Sequence, residues 1–368
     1  MITSIRRLKG PNSATQIPAC LLSFDLAFVP EAIEKSRRCP AILRRNVRRE
    51  FYNSKHLECF VLMLTTIIVT FLEGKSCKFC MANSMMLSSL DQWLEHEGVQ
   101  RWGALEQHSQ VLKKLIQNQT SPQDAAKELV DTASLSPDPS DTAYRLWNLL
   151  FHAAASLPAC IDHSVQLTLA IRRVPPSPES PNTLSYTLWS HWQDTHSYYY
   201  TWRTLRASSS PDNVTGAQRW INFTALSAVL VQHGDEMAMQ QIGINGFFDI
   251  RDALETIVET RAMNLPTNTI VTPEQSLEID TVAAAQWVIY AGTKLLHLDN
   301  DFFGNARNKG LSKKTDLWEG EPGFSQARWK FWADRFDKRV TENPSSEEAI
   351  EATKQAASSI RTHFGMSL

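Results

Sequence analysis

The chain has 368 residues, enough to bury a large core, and its 43% apolar and 21% charged residues are those of an ordinary soluble protein. A net charge of −2 supplies no overall attraction to nucleic acid or to an anionic membrane, and 14 glycines are few for a nucleotide-cradling or all-β architecture. The total hides a division, because residues 1–56 carry eleven Lys/Arg against four Asp/Glu, whereas all 11 tryptophans lie at or beyond Trp93.

Residues 1–84 read as a basic, poorly structured extension. Pro11, Pro18, Pro30 and Pro40 punctuate it, and Arg44-Arg45 and Arg48-Arg49 form a dense run of the kind that stays solvated. Cys59 to Leu72 then gives 14 residues without a charge. As a helix this run spans about 21 Å, short of a hydrocarbon layer of about 30 Å, so it suits a buried or interfacial segment better than a membrane span. Five of the six cysteines precede residue 81, and only Cys160 follows, so no disulfide framework crosses the rest, as in a reducing, cytoplasmic protein.

Residues 85–368 carry the helical signals. Leu90, Trp93 and Leu94 begin an apolar stripe that runs on through Leu105, Leu112, Leu115 and Ile116. Ser121-Pro122 supplies a cap and a first-turn proline for a helix to about Ala133. Asp141 is placed to cap the next, whose Leu146, Trp147, Leu149, Leu150, Phe151 and Ala154 cover most of its circumference, the mark of a central helix. A further helix is predicted from Ile161 to Arg173, ended by the proline-rich stretch 175–181. Trp189, Trp192, His196, Tyr199 and Arg203 then recur at steps of three and four, which sets three aromatics on one helical face with Trp202 beside them.

After the polar loop 208–216, helices are predicted over Ala217–His233 and, unbroken, over Phe247–Met263. Thr272-Pro273-Glu274-Gln275 has capping-box spacing, and the helix it opens is apolar nearly all round from Val282 to Leu298. Ser325 is placed to cap a helix to about Val340, and Ser345 with Glu348 to box the last one. The expected class is all-α, an irregular bundle of about ten helices.

Few reactive patterns occur. Phosphate-cradling glycine loops, HExxH and GxSxG are absent from the sequence. Cys77-Lys78-Phe79-Cys80 is a single CxxC with no partner pair. Asp299-Asn300-Asp301 with Gly304 resembles the start of a calcium loop, but Gly310 stands where the bidentate acid belongs, and a plain loop is expected. His196 on its aromatic face is a possible general base, although a core histidine with one hydrogen-bond partner is the commoner outcome. Between Gly323 and Phe336, Trp329, Trp332 and Phe336 share a face, and packing accounts for them better than nucleic-acid stacking. Asn118, Asn213 and Asn222 are glycosylation sequons, meaningful only in a secretory compartment. No residue is assigned a catalytic, cofactor-binding or metal-ligating role, and no cofactor is implied.

Several of these features together resemble a fungal family catalogued as a domain of unknown function. The resemblance rests on Leu146–Ala155 followed by Leu157-Pro158, on the helix before Trp220-Ile221-Asn222-Phe223, and on the stretch from Ala285 through Trp287 to Gly292. Leu317-Trp318-Glu319-Gly320 leading into Gly323–Trp332 completes it, over roughly residues 85–368. It implies a helical fold and brings no established activity, so no site residue is carried over. Residues 1–80 depart from the pattern and are expected to be dispensable for the fold.

Two functional readings follow. The first is an intracellular helical interaction or accessory protein with a protein partner, without intrinsic catalysis. The second is an enzyme or small-molecule binder whose polar groups converge only in the fold. A pocket in which His196, Asp299 or Asp301 meets other ionisable groups beneath the tryptophans favours the second, and a smooth groove favours the first. A third arrangement, an anchor at 59–72 with a lumenal helical body, is coherent with the basic segment before Cys59.

Overall fold

A computed structural model of the chain describes residues 85–176, 182–204, 215–297, 315–321, 323–342 and 346–366. The expectations for the basic extension, the Cys59–Leu72 run, the CxxC pair and the Asp299–Gly304 loop all fall outside these residues. Within them the fold is all-α, an irregular bundle of twelve helices of seven residues or more, rather than about ten.

Helix α1 covers residues 85–93 and widens into a π-turn at Leu94–Gly98. A turn containing Gly103, whose φ of +67° suits glycine, separates it from α2 (Glu106–Ile116). Ser121 caps α3 (Pro122–Ser134) by accepting from the Asp124 N–H, as its spacing predicts. Helix α4 (Pro139–Ser156) starts earlier than expected: Asp138, not Asp141, accepts from the N–H groups of Ser140 and Asp141. Pro139 explains the difference, since its fixed φ suits the first helical position and places the cap one residue before it. Asp141 instead pairs with Arg145 one turn on, at 2.6 Å.

Helix α5 (Ile161–Arg173) follows a short 3₁₀ turn, and α6 (Thr183–Trp202) is capped by Asn182. Helix α7 (Gly216–His233) is capped by Thr215. The expected single helix over Phe247–Met263 is two, α8 (Ile244–Leu254), entered through a π-turn at Met239–Gly243, and α9 (Val258–Asn264). Helix α10 (Pro273–Leu295) has the full capping box, with Thr272 and Gln275 exchanging hydrogen bonds. Helices α11 (Gln326–Glu342) and α12 (Glu347–His363) close the chain. Ser325 caps α11 through the Arg328 N–H, whereas α12 is capped by Ser346, which accepts from Ala349, and not by Ser345.

Helices α7 and α10 lie side by side at the centre. Helices α4, α5 and α6 pack on α7, while α8, α9 and α12 pack on α10. The apolar circumference of α4 is buried throughout, with Trp147, Leu149, Leu150 and Phe151 at 0% exposure. The close approach of α8 to α10 depends on Gly246, where a β-carbon would stand 2.7 Å from the Trp287 ring. Helix α10, apolar nearly all round in sequence, is not covered on every side: Ala283, Ala284, Trp287, Val288 and Ala291 are buried, but Val282, Gln286 and Ile289 are half-exposed and Tyr290 is exposed.

Candidate functional site

The second half of α6 brings ionisable and aromatic side chains together on two sides. On one side, the π-turn after α1 presents Glu97, whose two carboxylate oxygens accept from Arg219 of α7 at 2.8 Å each. The following turn presents Arg101, which donates to the Tyr198 hydroxyl at 2.6 Å, and Trp102, which stacks on the imidazole of His152 with ring centres 3.4 Å apart. His152 of α4 and Tyr199 of α6 share a hydrogen bond of 2.6 Å. Burial, reinforced by the charges of Arg219 and Arg101, holds the His152 pKa well below that of a free imidazole. Burial also pushes the Tyr199 phenol up, so both partners stay neutral.

On the other side, His196 lies between Trp192 and Trp220, with ring centres 5.0 and 5.1 Å away. Its Nε2 is 3.5 Å from Asp249 Oδ2, the oxygen that accepts from the Trp287 indole N–H at 2.9 Å. Next to this group Arg203 holds both oxygens of Asp280, at 2.6 and 3.1 Å, while Arg261 reaches the same carboxylate at 2.9 Å. The Arg203 guanidinium also lies over the Tyr200 ring, 3.7 Å from its centre. His196 therefore meets Asp249 beneath the tryptophans, but it lines neither of the two cavities along α10, and the small-molecule reading called for such a meeting inside a pocket. These groups join helices to one another. Each of Glu97, Asp280 and Asp249 already accepts from a buried donor on a different helix, and a buried charge held this way resists exchange for a ligand.

A third set explains the break between α8 and α9. Glu255 follows the last turn of α8 and accepts from Arg328 Nε and Nη2 at 2.7 and 2.8 Å, and from the Trp332 indole at 2.7 Å. Arg335 donates to the Leu254 carbonyl, and Arg339 to those of Ala253 and Thr256. Cationic side chains of α11 thus satisfy the carbonyls that a continuing helix would have used, and they complement the negative end of the α8 dipole. Trp329, Trp332 and Phe336 are buried beside them, so the aromatic pattern of α11 is packing, as expected from sequence.

Two buried histidines make the fold acid-sensitive. Burial first, and then the Arg145 charge, lowers His108 from 6.5 to about 4. Both His108 and His152 stay neutral in the fold while the unfolded chain takes up protons near 6.5. Stability is therefore full above that pH and falls as pH drops from 6.5 towards 4, at up to about 1.4 kcal/mol per pH unit for each histidine. The urea midpoint is expected to be lower at pH 5 than at pH 7, and His108→Gln to flatten that slope. A midpoint that does not move between the two would contradict the neutral assignment.

The open face of α10 forms the floor of a groove whose walls are α7 and α12. Ile279, Val282, Gln286, Ile289 and Thr293 follow one another along the floor at helical spacing. Two adjoining cavities of about 620 and 880 Å³ lie along it and share Ile289, Tyr290, Glu351 and Gln355. Thr293 donates to Gln232 across the floor at 2.8 Å. Glu278, Glu348 and Glu351 rim the smaller cavity, and Lys354 and His363 border the larger.

Of the other residues singled out from sequence, Trp192 and Tyr199 are buried with His196, Trp189 is half-buried against Arg172, and Trp202 is exposed. Asn222 is buried and its amide donates to the Ala155 carbonyl at 2.8 Å, so this sequon is closed in the folded protein. Asn118 sits exposed in a turn with φ of 57°, and Asn213 lies outside the described residues. Among the described residues no helix is long and apolar enough to cross a membrane, and no three His, Cys, Asp or Glu side chains are grouped to hold a metal. Cys160 is buried, its thiol pushed up to about 12 by that burial, which makes it a poor nucleophile.

A family model described as "Protein of unknown function (DUF3632)" matches residues 147–336. The match takes in His152, His196, Arg219 and the floor of the groove, and ends at Phe336 in α11. No curated protein matches, and neither does any solved structure.

Proposed function

We propose that this chain, which belongs to the DUF3632 family of proteins of unknown function, is an interaction or accessory protein that receives a protein partner in the groove over α10. One observation carries this reading. Among the described residues, α10 leaves Ile279, Val282 and Ile289 half-exposed along one face, and the ionisable groups that converge elsewhere are engaged in joining helices. Apolar surface at the bottom of a groove, with amides and hydroxyls along its edges, suits side chains of a polypeptide better than a reacting centre. The scarcity of cysteine beyond residue 80 and the resemblance of residues 85–368 support placing it in the cytoplasm of a fungal cell.

Site-specific photocrosslinking tests the reading. A photoreactive phenylalanine replaces Tyr290, 46% exposed in the groove, or Tyr144, 48% exposed on α4, in the full chain expressed in a fungal host. A crosslinked polypeptide from position 290 and none from position 144 is expected. Equal products from both positions, or none of polypeptide size from 290, would contradict the groove as the working surface.

A further inference from the structure

We infer that the occupant of the groove is an amphipathic helix of another protein, basic at the end that lies over Glu278, Glu348 and Glu351. This rests on the interaction reading above and adds the chemistry of the partner. The shape argument comes first. Helices α7, α10 and α12 run parallel, because the early residues of each (Gln218, Ile279, Glu348) line one cavity and the later ones (Gln232, Leu296, His363) line the other. Together they leave a trough along the whole of α12, about 25 Å for its seventeen residues. The floor residues recur every three or four positions, which is the spacing a facing helix matches with its own apolar stripe.

The charge argument is independent. Glu278, Glu348 and Glu351 converge on the smaller cavity, and neither a lysine, an arginine nor a histidine is among the residues lining it. None of the three makes an ion pair among the described residues. Glu348, in the first turn of α12, has the ordinary explanation that an acid there complements the helix dipole. Glu278 and Glu351 lie beyond the first turns of α10 and α12, and the dipole does not account for them. Their carboxylates are left to a cationic partner. The other end of the groove has Lys354 and His363, so the charge of the occupant changes along its length. Basic residues are also favoured near the C-terminus of a helix by its own dipole. The partner helix accordingly runs antiparallel to α10, with its C-terminal turns over the three glutamates.

The test uses the full chain and three fluorescein-labelled peptides of eighteen residues. All have the same composition of apolar residues. The first has a continuous apolar stripe and lysines in its last two turns, the second has glutamates there, and the third keeps the lysines but scrambles the stripe. The first peptide is expected to bind at least tenfold more tightly than either other by fluorescence anisotropy, and less tightly as salt rises. The double variant Glu348→Lys/Glu351→Lys is expected to reverse the preference between the first two. Ala352→Trp, which fills the groove from α12, is expected to abolish binding, with circular dichroism and thermal melting showing that both variants stay folded.

Equal affinity for the lysine and glutamate peptides, or a preference unchanged in the double variant, would overturn the basic partner. Binding of the first peptide that survives in a folded Ala352→Trp variant would overturn the groove as its site. A chain that sediments as a dimer, and as a monomer once Ala352→Trp is introduced, would replace the foreign helix by a second copy. Failure of all three peptides while position 290 still crosslinks to a polypeptide in cells would reject the helical partner and leave the interaction reading standing. Failure of both would reject the two together.

Discussion

Replacing Trp287 with alanine is expected to destabilise the fold by about 3–5 kcal/mol, the range for a large core aromatic. Trp287 is fully buried at the middle of α10, and Gly246 of α8 packs directly on its ring. The substitution leaves a cavity between α8 and α10 and removes the indole donor from Asp249, which is then left with His196 at 3.5 Å. Loss of packing and loss of a partner for a buried carboxylate act in the same direction, so the effect belongs in the upper part of that range. Chemical denaturation of the full chain measures it. A midpoint equal to that of the unaltered protein would remove Trp287 from the core.

Arg328→Ala is expected to cost a comparable amount, about 3–5 kcal/mol, because it strands Glu255 as a buried charge without its counter-ion. Both residues are essentially inaccessible, and Arg328 also donates to the Gly323 carbonyl at 2.9 Å. The pair should be strongly non-additive. Glu255→Leu in the Arg328→Ala background is expected to recover part of the loss, because it removes the stranded charge. Simple addition of the two single effects in denaturation measurements would show that Glu255 is solvated rather than buried against α11.

Local signals were legible because they need only neighbours. Ser121-Pro122 and the Thr272–Gln275 box are complete within four residues, and both appear in the fold as read. Asp141 and Ser345 were misplaced caps for a related reason: another capping residue stood one to three positions away, and Pro139 or the register of the first turn decided between them. The break after Leu254 was not legible. Its cause, Arg328, is 73 residues away in sequence, and the stretch from Phe247 to Met263 has enough helical character to run on by itself.

The polar clusters divide in the same way. His196 stood out because its own helix sets aromatics around it. His152, Glu97 and Arg219 did not, because Glu97 and Arg219 meet across 122 residues and each looks like a surface residue in its own helix. The stretch from Val282 to Leu298 is apolar nearly all round in sequence, yet among the described residues the fold covers α10 on the sides facing α7, α8, α9 and α12 and leaves Val282 and Ile289 half-exposed. Periodicity reports which residues are apolar. Whether another helix exists to cover them is a property of the assembled bundle, and among the described residues the half-exposed face of α10 is where the proposed groove lies.

Native mass spectrometry of the full chain purified gently from its own cells compares the groove with the buried clusters in one spectrum. The unaltered chain is predicted to have an added mass of polypeptide size, and folded Ala352→Trp to lack it. A retained mass of small-molecule size, present in both proteins and lost from a folded variant altered at His152 or His196, would contradict the assignment and move the working site to the clusters around α6.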